Sequence, residues 1–349
     1  MMKEAIISLT EGKDLSCARM GKIFSMIMSA SAQPAQVAAF LTALRIKGET
    51  VDEITAAARV MRKFAVKIDV RSCVDMDRDE INVEEETVLD TCGTGGTGTN
   101  TFNISTTSAF VVSACGIKVA KHGNRSASSA CGSADVLDKL GIRLDLKPAQ
   151  VKECIRRIGI GFMYAPVFHR AMKHALPVRK AIGIRTIFNL LGPLCNPAGA
   201  TCQLLGVYDR SLTRIIANVL CKLGSKRAFV VHGLDTLDEI SITGPTQVSE
   251  LNSGKVRTYM IEPEQFGMKR ARLKSIEGGD AGQNAKIILS VLSGARGPRR
   301  DIVLLNAAYA LVAARAQKDV RKAVSAAAQS IDSGRAMDKL RQLKDFARL

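Results

Sequence analysis

The chain of 349 residues is 46% hydrophobic and 24% charged and has no long Pro, Ser or Gln tract, which excludes an intrinsically disordered protein and leaves room for two structural units. A formal charge of +17 favours anionic ligands, yet the basic residues are scattered and aromatics reach only 4%, unlike the clustered cations and stacking platforms of a nucleic-acid binder. Nine cysteines occur without a CxxC pair or companion histidine spacing, so they read as reduced, mostly buried small residues rather than zinc ligands.

Residues 1–75 form the first expected unit, a small helical domain. Apolar positions such as Ile23, Phe24, Ile27, Val37, Phe40, Leu41 and Leu44 follow helical spacing, and Pro34 suits a helix start. Between Val66 and Glu86 the composition turns polar and charged, which places a boundary there. Beyond it, β-prone runs (Thr87–Thr91, Gly116–Ala120, Gln203–Tyr208, Arg227–His232) alternate with helix-prone ones (Thr106–Cys115, Ser133–Leu140, Leu212–Leu223, Ile302–Ser325). That alternation predicts an α/β domain with a largely parallel central sheet over 76–165 and 186–349. The helix-prone stretch 166–185 is expected to return to the N-terminal helices. No apolar signal core or window near the ~18 apolar residues of a membrane span is visible, so the cytoplasm is the expected location.

Four stretches carry chemistry. In CGTGGTGTNTFNIST, Cys92–Thr106, a β-prone run ends in a glycine-rich loop that opens a helix. Gly93, Gly95, Gly96 and Gly98 let backbone N–H groups approach a polyanion, and Asn103, Ser105 and Thr106 stand where unpaired helix amides favour phosphate. The loop lacks the terminal Gly-Lys-Ser/Thr of a Walker A motif and is not a dinucleotide fingerprint; a tight turn with an N-cap is the plain alternative. In KHGNRSASSACGSAD, Lys121–Asp135, Lys121 and Arg125 supply charge while Ser126, Ser128, Ser129 and Ser133 supply hydroxyls; the plain alternative is a surface loop. In VHGLDTLDE, Val231–Glu239, Asp235, Asp238 and Glu239 at a strand end suit a hard divalent cation, and a solvated turn is the alternative. In RKAIGIRTIFNLLGPLCNP, Arg179–Pro197, Arg179 could pair bidentately with a carboxylate or lie free on the surface.

Taken in this order, the four stretches resemble those of anthranilate phosphoribosyltransferases, members of the nucleoside-phosphorylase-like (class III) phosphoribosyltransferases. The resemblance extends to APVFHRAMKHALPVRK and to the Leu304–Leu311 helix with Asn306, and so covers nearly the whole chain. It implies a homodimer formed through the helical domain, an active site in the cleft between domains, magnesium as cofactor, and transfer of phosphoribose from phosphoribosyl pyrophosphate to the amine of anthranilate in tryptophan biosynthesis. A contact with anthranilate synthase would fit that pathway, with no membrane or nucleic-acid partner. On matching positions, Gly93, Thr94, Gly95, Gly96, Thr101, Asn103, Ser105, Thr106, Lys121 and Ser133 would bind the donor. Gly93, His122, Asn124 and Arg179 would contact anthranilate, and Ser105, Asp238 and Glu239 would hold the metal. No protein nucleophile or obligatory general base is implied. The family commonly has Asp where this chain has Thr97, which bears on metal affinity. A pyrimidine nucleoside phosphorylase and a nucleic-acid-binding protein of the same fold are the competing readings.

Overall fold

The computed structural model describes residues 1–70, 87–96, 98–126 and 130–347; the expected boundary near residue 75, Thr97, Ser128 and Ser129 lie outside them. Four helices, Met2–Thr10, Cys17–Met28, Pro34–Lys47 and Val51–Phe64, make up the start of the chain. Their ends follow from local chemistry. Ser16 accepts from Arg19 N, Pro34 opens its helix at N1, Gly48 closes that helix at φ 90°, and Thr50 with Glu53 forms a capping box. Glu53 is buried and, besides its capping bond from Thr50 N at 2.9 Å, accepts from Leu15 N and from Lys47 Nζ, each at 2.9 Å, tying the fourth helix to the third and to the segment before the second.

The remainder is built on one seven-stranded sheet. Its strands are β1 Val88–Gly93, β2 Lys118–Gly123, β3 Ile160–Tyr164, β4 Cys202–Gly206, β5 Arg227–Gly233, β6 Thr246–Asn252 and β7 Lys255–Ile261. The order across the sheet is β3-β2-β1-β4-β5-β6-β7. The first five are parallel, and β6 and β7 add an antiparallel flap beside β5. The chain winds from β1 toward β3 on one side and from β4 toward β7 on the other, so the switch point lies between β1 and β4. In open α/β sheets that crevice, at the carboxyl ends of the strands, is where ligands bind.

Both faces of the sheet are covered. One core joins strand residues Leu89, Val119 and Phe229 to the helices Ile104–Ala114, Ala281–Leu292 and Pro298–Ala313. The other runs from the N-terminal helices through Ala175, Val178, Phe188 and Leu191 onto Leu205 and Val230, so the bundle packs directly on the sheet's second face. The stretch after β3 is three short pieces, Ala165–Phe168, Arg170–His174 and Leu176–Ile182, and the last lies against helix Pro34–Lys47. The run expected to be helical from Ile302 to Ser325 is instead two helices, Pro298–Ala313 and Val320–Asp332, separated where Arg315 takes a left-handed φ of 59°.

Candidate active site

The carboxyl ends of β1, β2, β4 and β5 converge. The β1 loop meets the β5 loop directly: Gly95 N–H donates to Asp238 Oδ2 at 2.8 Å, and Ser105 N–H, in the first turn of the following helix, donates to Glu239 Oε1 at 3.1 Å. The amides of Gly95 and Ser105 are therefore engaged by a half-buried acidic pair. This arrangement needs two glycines that face each other in register across β1 and β4. A Cβ on Gly93 would overlap Asp238 Oδ2, and a Cβ on Gly206 would overlap the Asp238 carbonyl. Thr94 locks the neighbouring turn, accepting from Tyr208 N at 3.0 Å while its own N–H donates to Gly206 O at 2.9 Å.

Lys121, at the end of β2, is 3% exposed, and its ammonium donates to Thr91 O at 2.5 Å and to Ser105 Oγ at 3.4 Å. Asp90 lies fully buried close by. Its oxygens accept from Asn196 Nδ2 at 2.8 Å and from His122 N at 3.3 Å. Burial moves both groups toward neutrality, the lysine downward and the aspartate upward, while their mutual attraction and that of Glu239 oppose the change. Glu239 is pushed up to about 8, first by desolvation and then by repulsion from Asp238, with Lys121 acting against both. Asp238 is raised by desolvation as well.

These shifts predict a pH dependence of stability. A carboxyl whose pKa is higher folded than unfolded binds more protons in the native state, so its contribution is complete at low pH and is lost as pH rises toward 8. His122 and His169, lowered by burial to about 3 and about 4, contribute in the opposite sense, but only below their ordinary value of 6.5. Between pH 6.5 and 8 the metal-free protein is expected to lose melting temperature, and Glu239→Gln is expected to flatten that fall. Parallel curves for the two proteins in thermal scans would show that Glu239 is not the group responsible.

His122 lies against His169, ring centres 4.9 Å apart and planes tilted by 57°, and its Nδ1 is 3.2 Å from Gly192 O. The Nε2 atoms of both rings are buried without a hydrogen-bond partner among the described residues. Arg179 is half-buried, its guanidinium 5.3 Å over the Phe188 ring, and burial lowers its pKa. It forms no ion pair with a carboxylate among the described residues. His122 and Arg179 thus both approach the short helix Phe188–Leu194.

The other expected residues are placed as follows. Ser133 donates to Asn124 O at 3.4 Å, and the Asn124 side chain accepts from Arg125 N, so these two hold the β2 loop together. Arg125 is not free for phosphate, being paired with Asp135 at 2.9 Å and Asp138 at 3.0 Å. Asp235 stays out of the acidic pair and accepts from the hydroxyls of Ser241 and Thr243 instead. Thr101 forms a bridge to Glu277, and Asn103 bonds to Cys131 O and to Asn284, so both brace the β1 loop. Thr106 is buried, its hydroxyl without a hydrogen-bond partner among the described residues. Sequence reasoning missed Gly206, Asn196 and Asn284; the GPLCNP finish carried Asn196 in plain view, but no local signal marks the other two.

Comparison with known proteins agrees with this fold. Residues 85–337 match the family described as "Glycosyl transferase family, a/b domain", and residues 3–65 match its "helical bundle domain". The anthranilate phosphoribosyltransferase of Citrifermentans bemidjiense is 58% identical over 344 residues, 98% of either chain, and that of Pelobacter propionicus is 56% identical over the same share. Among solved structures, the Thermus thermophilus anthranilate phosphoribosyltransferase matches with a TM-score of 0.90 at 38% identity over 99% of both chains. The Saccharomyces cerevisiae enzyme in complex with PRPP and Mg matches at 0.85 and 29% over 98% of both.

Proposed function

The chain belongs to the anthranilate phosphoribosyltransferase family of glycosyl transferases, and we propose that it transfers phosphoribose from phosphoribosyl pyrophosphate to the anthranilate amine, releasing pyrophosphate, as a step of tryptophan biosynthesis. The observation that carries this reading is the meeting of a glycine-rich phosphate loop with Asp238 and Glu239 at the sheet's switch point.

Each part has a task. The Gly93–Gly96 turn faces the donor's phosphates, while the amides at Gly95 and Ser105 hold the acidic pair in place beside them. The Lys121 ammonium, held rigid by Thr91 O, stabilises charge growing on the departing pyrophosphate. Arg179 holds the anthranilate carboxylate and so aims the amine at C1 of the ribose. The amine is a weak base, uncharged at neutral pH, so it attacks without a general base. The neutral rings of His122 and His169 add no competing charge beside it.

The residues fit magnesium. Desolvation first, and then repulsion between two hard carboxylate oxygen donors, lift Glu239 to about 8, and a divalent cation would offset both. Magnesium commonly keeps waters and substrate phosphate oxygens as ligands, so two protein carboxylates suffice. Asp238 and Glu239 would hold it, with Ser105 Oγ alongside; when bound, it supplies positive charge to the leaving pyrophosphate. A homodimer formed through the helical unit is part of this reading.

Loss of anthranilate fluorescence, measured with and without magnesium and phosphoribosyl pyrophosphate, tests the reaction; consumption of uridine with phosphate instead would favour a nucleoside phosphorylase. In the same assay Arg179→Ala is expected to raise the anthranilate Michaelis constant roughly tenfold to a hundredfold, the loss of a charge-assisted pair of about 1.5–3 kcal/mol. An unchanged anthranilate constant beside a raised one for the donor would assign Arg179 to the wrong substrate.

A further inference from the structure

The loop that carries the acidic pair, residues 234–245, has no regular secondary structure. Ile240 follows Glu239 directly and is fully buried. Both of its backbone hydrogen bonds go to one side chain: its N–H donates to Asn306 Oδ1 at 3.0 Å, and its carbonyl accepts from Asn306 Nδ2 at 2.9 Å. The same Nδ2 also donates to Ile302 O at 2.9 Å, which anchors the amide on helix Pro298–Ala313. The side chain thus behaves as a peptide group and closes with residue 240 the paired bonds of a β-bridge. Asparagine is a mediocre helix former, and a buried amide costs free energy unless fully bonded. Its neighbours Val303, Leu305, Ala307 and Ala308 are buried and apolar, so packing alone gives no reason for an amide there.

We propose that Asn306 is a positioning residue that holds Asp238 and Glu239 in the geometry that binds the donor's divalent cation. It touches neither carboxylate. By pinning residue 240 it limits backbone rotation immediately after the pair, which keeps Asp238 on Gly95 and Glu239 on Ser105. Partners of this outer kind commonly contribute about 10–100-fold to metal affinity. The inference rests on the reading of the acidic pair given under Proposed function.

The test compares Asn306→Ala with Leu305→Ala, a neighbouring, fully buried truncation on the same helix with no bond to the loop. Binding of Mn2+ in the presence of pyrophosphate is followed by electron paramagnetic resonance, together with the Mg2+ concentration for half-maximal rate, at a temperature where both variants are folded. Asn306→Ala is expected to weaken Mn2+ binding about tenfold and to raise the Mg2+ requirement to match. The anthranilate Michaelis constant should stay within about twofold, since Asn306 does not reach Arg179. Leu305→Ala is expected to lower the melting temperature and leave both metal readouts within about twofold. Equal shifts in the two variants, or unchanged Mn2+ binding in Asn306→Ala, overturn the proposal. Should Asn306→Ala not fold, Asn306→Asp, which keeps the acceptor for Ile240 N–H and loses the donor, is expected to weaken Mn2+ binding as well, and unchanged binding there overturns it equally. Wild-type protein that binds Mn2+ with pyrophosphate but does not consume anthranilate leaves Asn306 in its role and removes the substrate reading. Wild-type protein that turns over anthranilate while its Mn2+ affinity ignores position 306 removes this inference alone.

Discussion

Gly206→Ala is expected to abolish turnover and to destabilise the fold, although the change adds a single methyl group. Gly206 ends β4, is fully buried, and lies opposite Gly93 in register. An alanine Cβ there would overlap the carbonyl of Asp238 and come within 3.0 Å of its Cα. Backbone on both sides resists displacement: the far side of Asp238 leads through Glu239 to the pinned Ile240, and Gly206 O is held by Thr94 N. Overpacking of this kind costs about 1–3 kcal/mol or more, and here the atom that must move is the backbone of the acidic pair itself. Thermal unfolding and the anthranilate assay measure the two effects. Gly21→Ala provides the contrast, since its added Cβ meets only Val60 Cγ2 at 3.9 Å inside a regular helix. Near-normal activity in Gly206→Ala would mean that Asp238 does not rest on the ends of β1 and β4.

Lys121→Met is expected to lower turnover by about 10²–10³, the range seen when one preorganised charge donor to a developing anion is removed. It should also destabilise the protein. Asp90 would keep Asn196 and the His122 N–H but lose the attraction of the buried ammonium, which opposes the upward push of desolvation on its carboxyl. The two losses separate in a double variant: adding Asp90→Asn to Lys121→Met removes the unpaired charge, so stability should recover while turnover does not. A double variant as unstable as the single one would show that Lys121 is not the counter-charge of Asp90. Normal turnover in the single variant would remove it from the donor site.

The parts of this design that were legible in the sequence are those written locally. A glycine-rich run after a β-prone segment, an Asp-Glu pair after another, and helix caps such as Thr50 with Glu53 each depend on neighbours within a few residues. The helical start, the parallel strands and the α/β class followed from such signals together with the resemblance. What stayed hidden depends on contacts between distant segments. The need for glycine at 206 exists only because residue 238 crosses it, and Asn284 matters because it spans from the Gly279 amide to Asn103. Strand β3, IGFMY, is buried along nearly its whole length and shows no polar alternation. The break at Arg315 has no glycine or proline to announce it, so two helices read as one. Arg125 and Asp235 looked equivalent to functional neighbours until the structure supplied their partners.

The two margins of the sheet are finished in different ways. At β3 the strand is buried, with helix Pro148–Ile158 packed beside it. At β7 the last strand is largely bare, yet it presents Lys255 and Arg257 on that border. Cationic side chains on an unpaired strand discourage it from adding a strand of another molecule. Self-association is thereby steered away from fibre-like growth along the sheet, and neutralising Lys255, which leaves the Arg257–Glu250 pair intact, should make the protein prone to aggregate even where its chemistry is untouched.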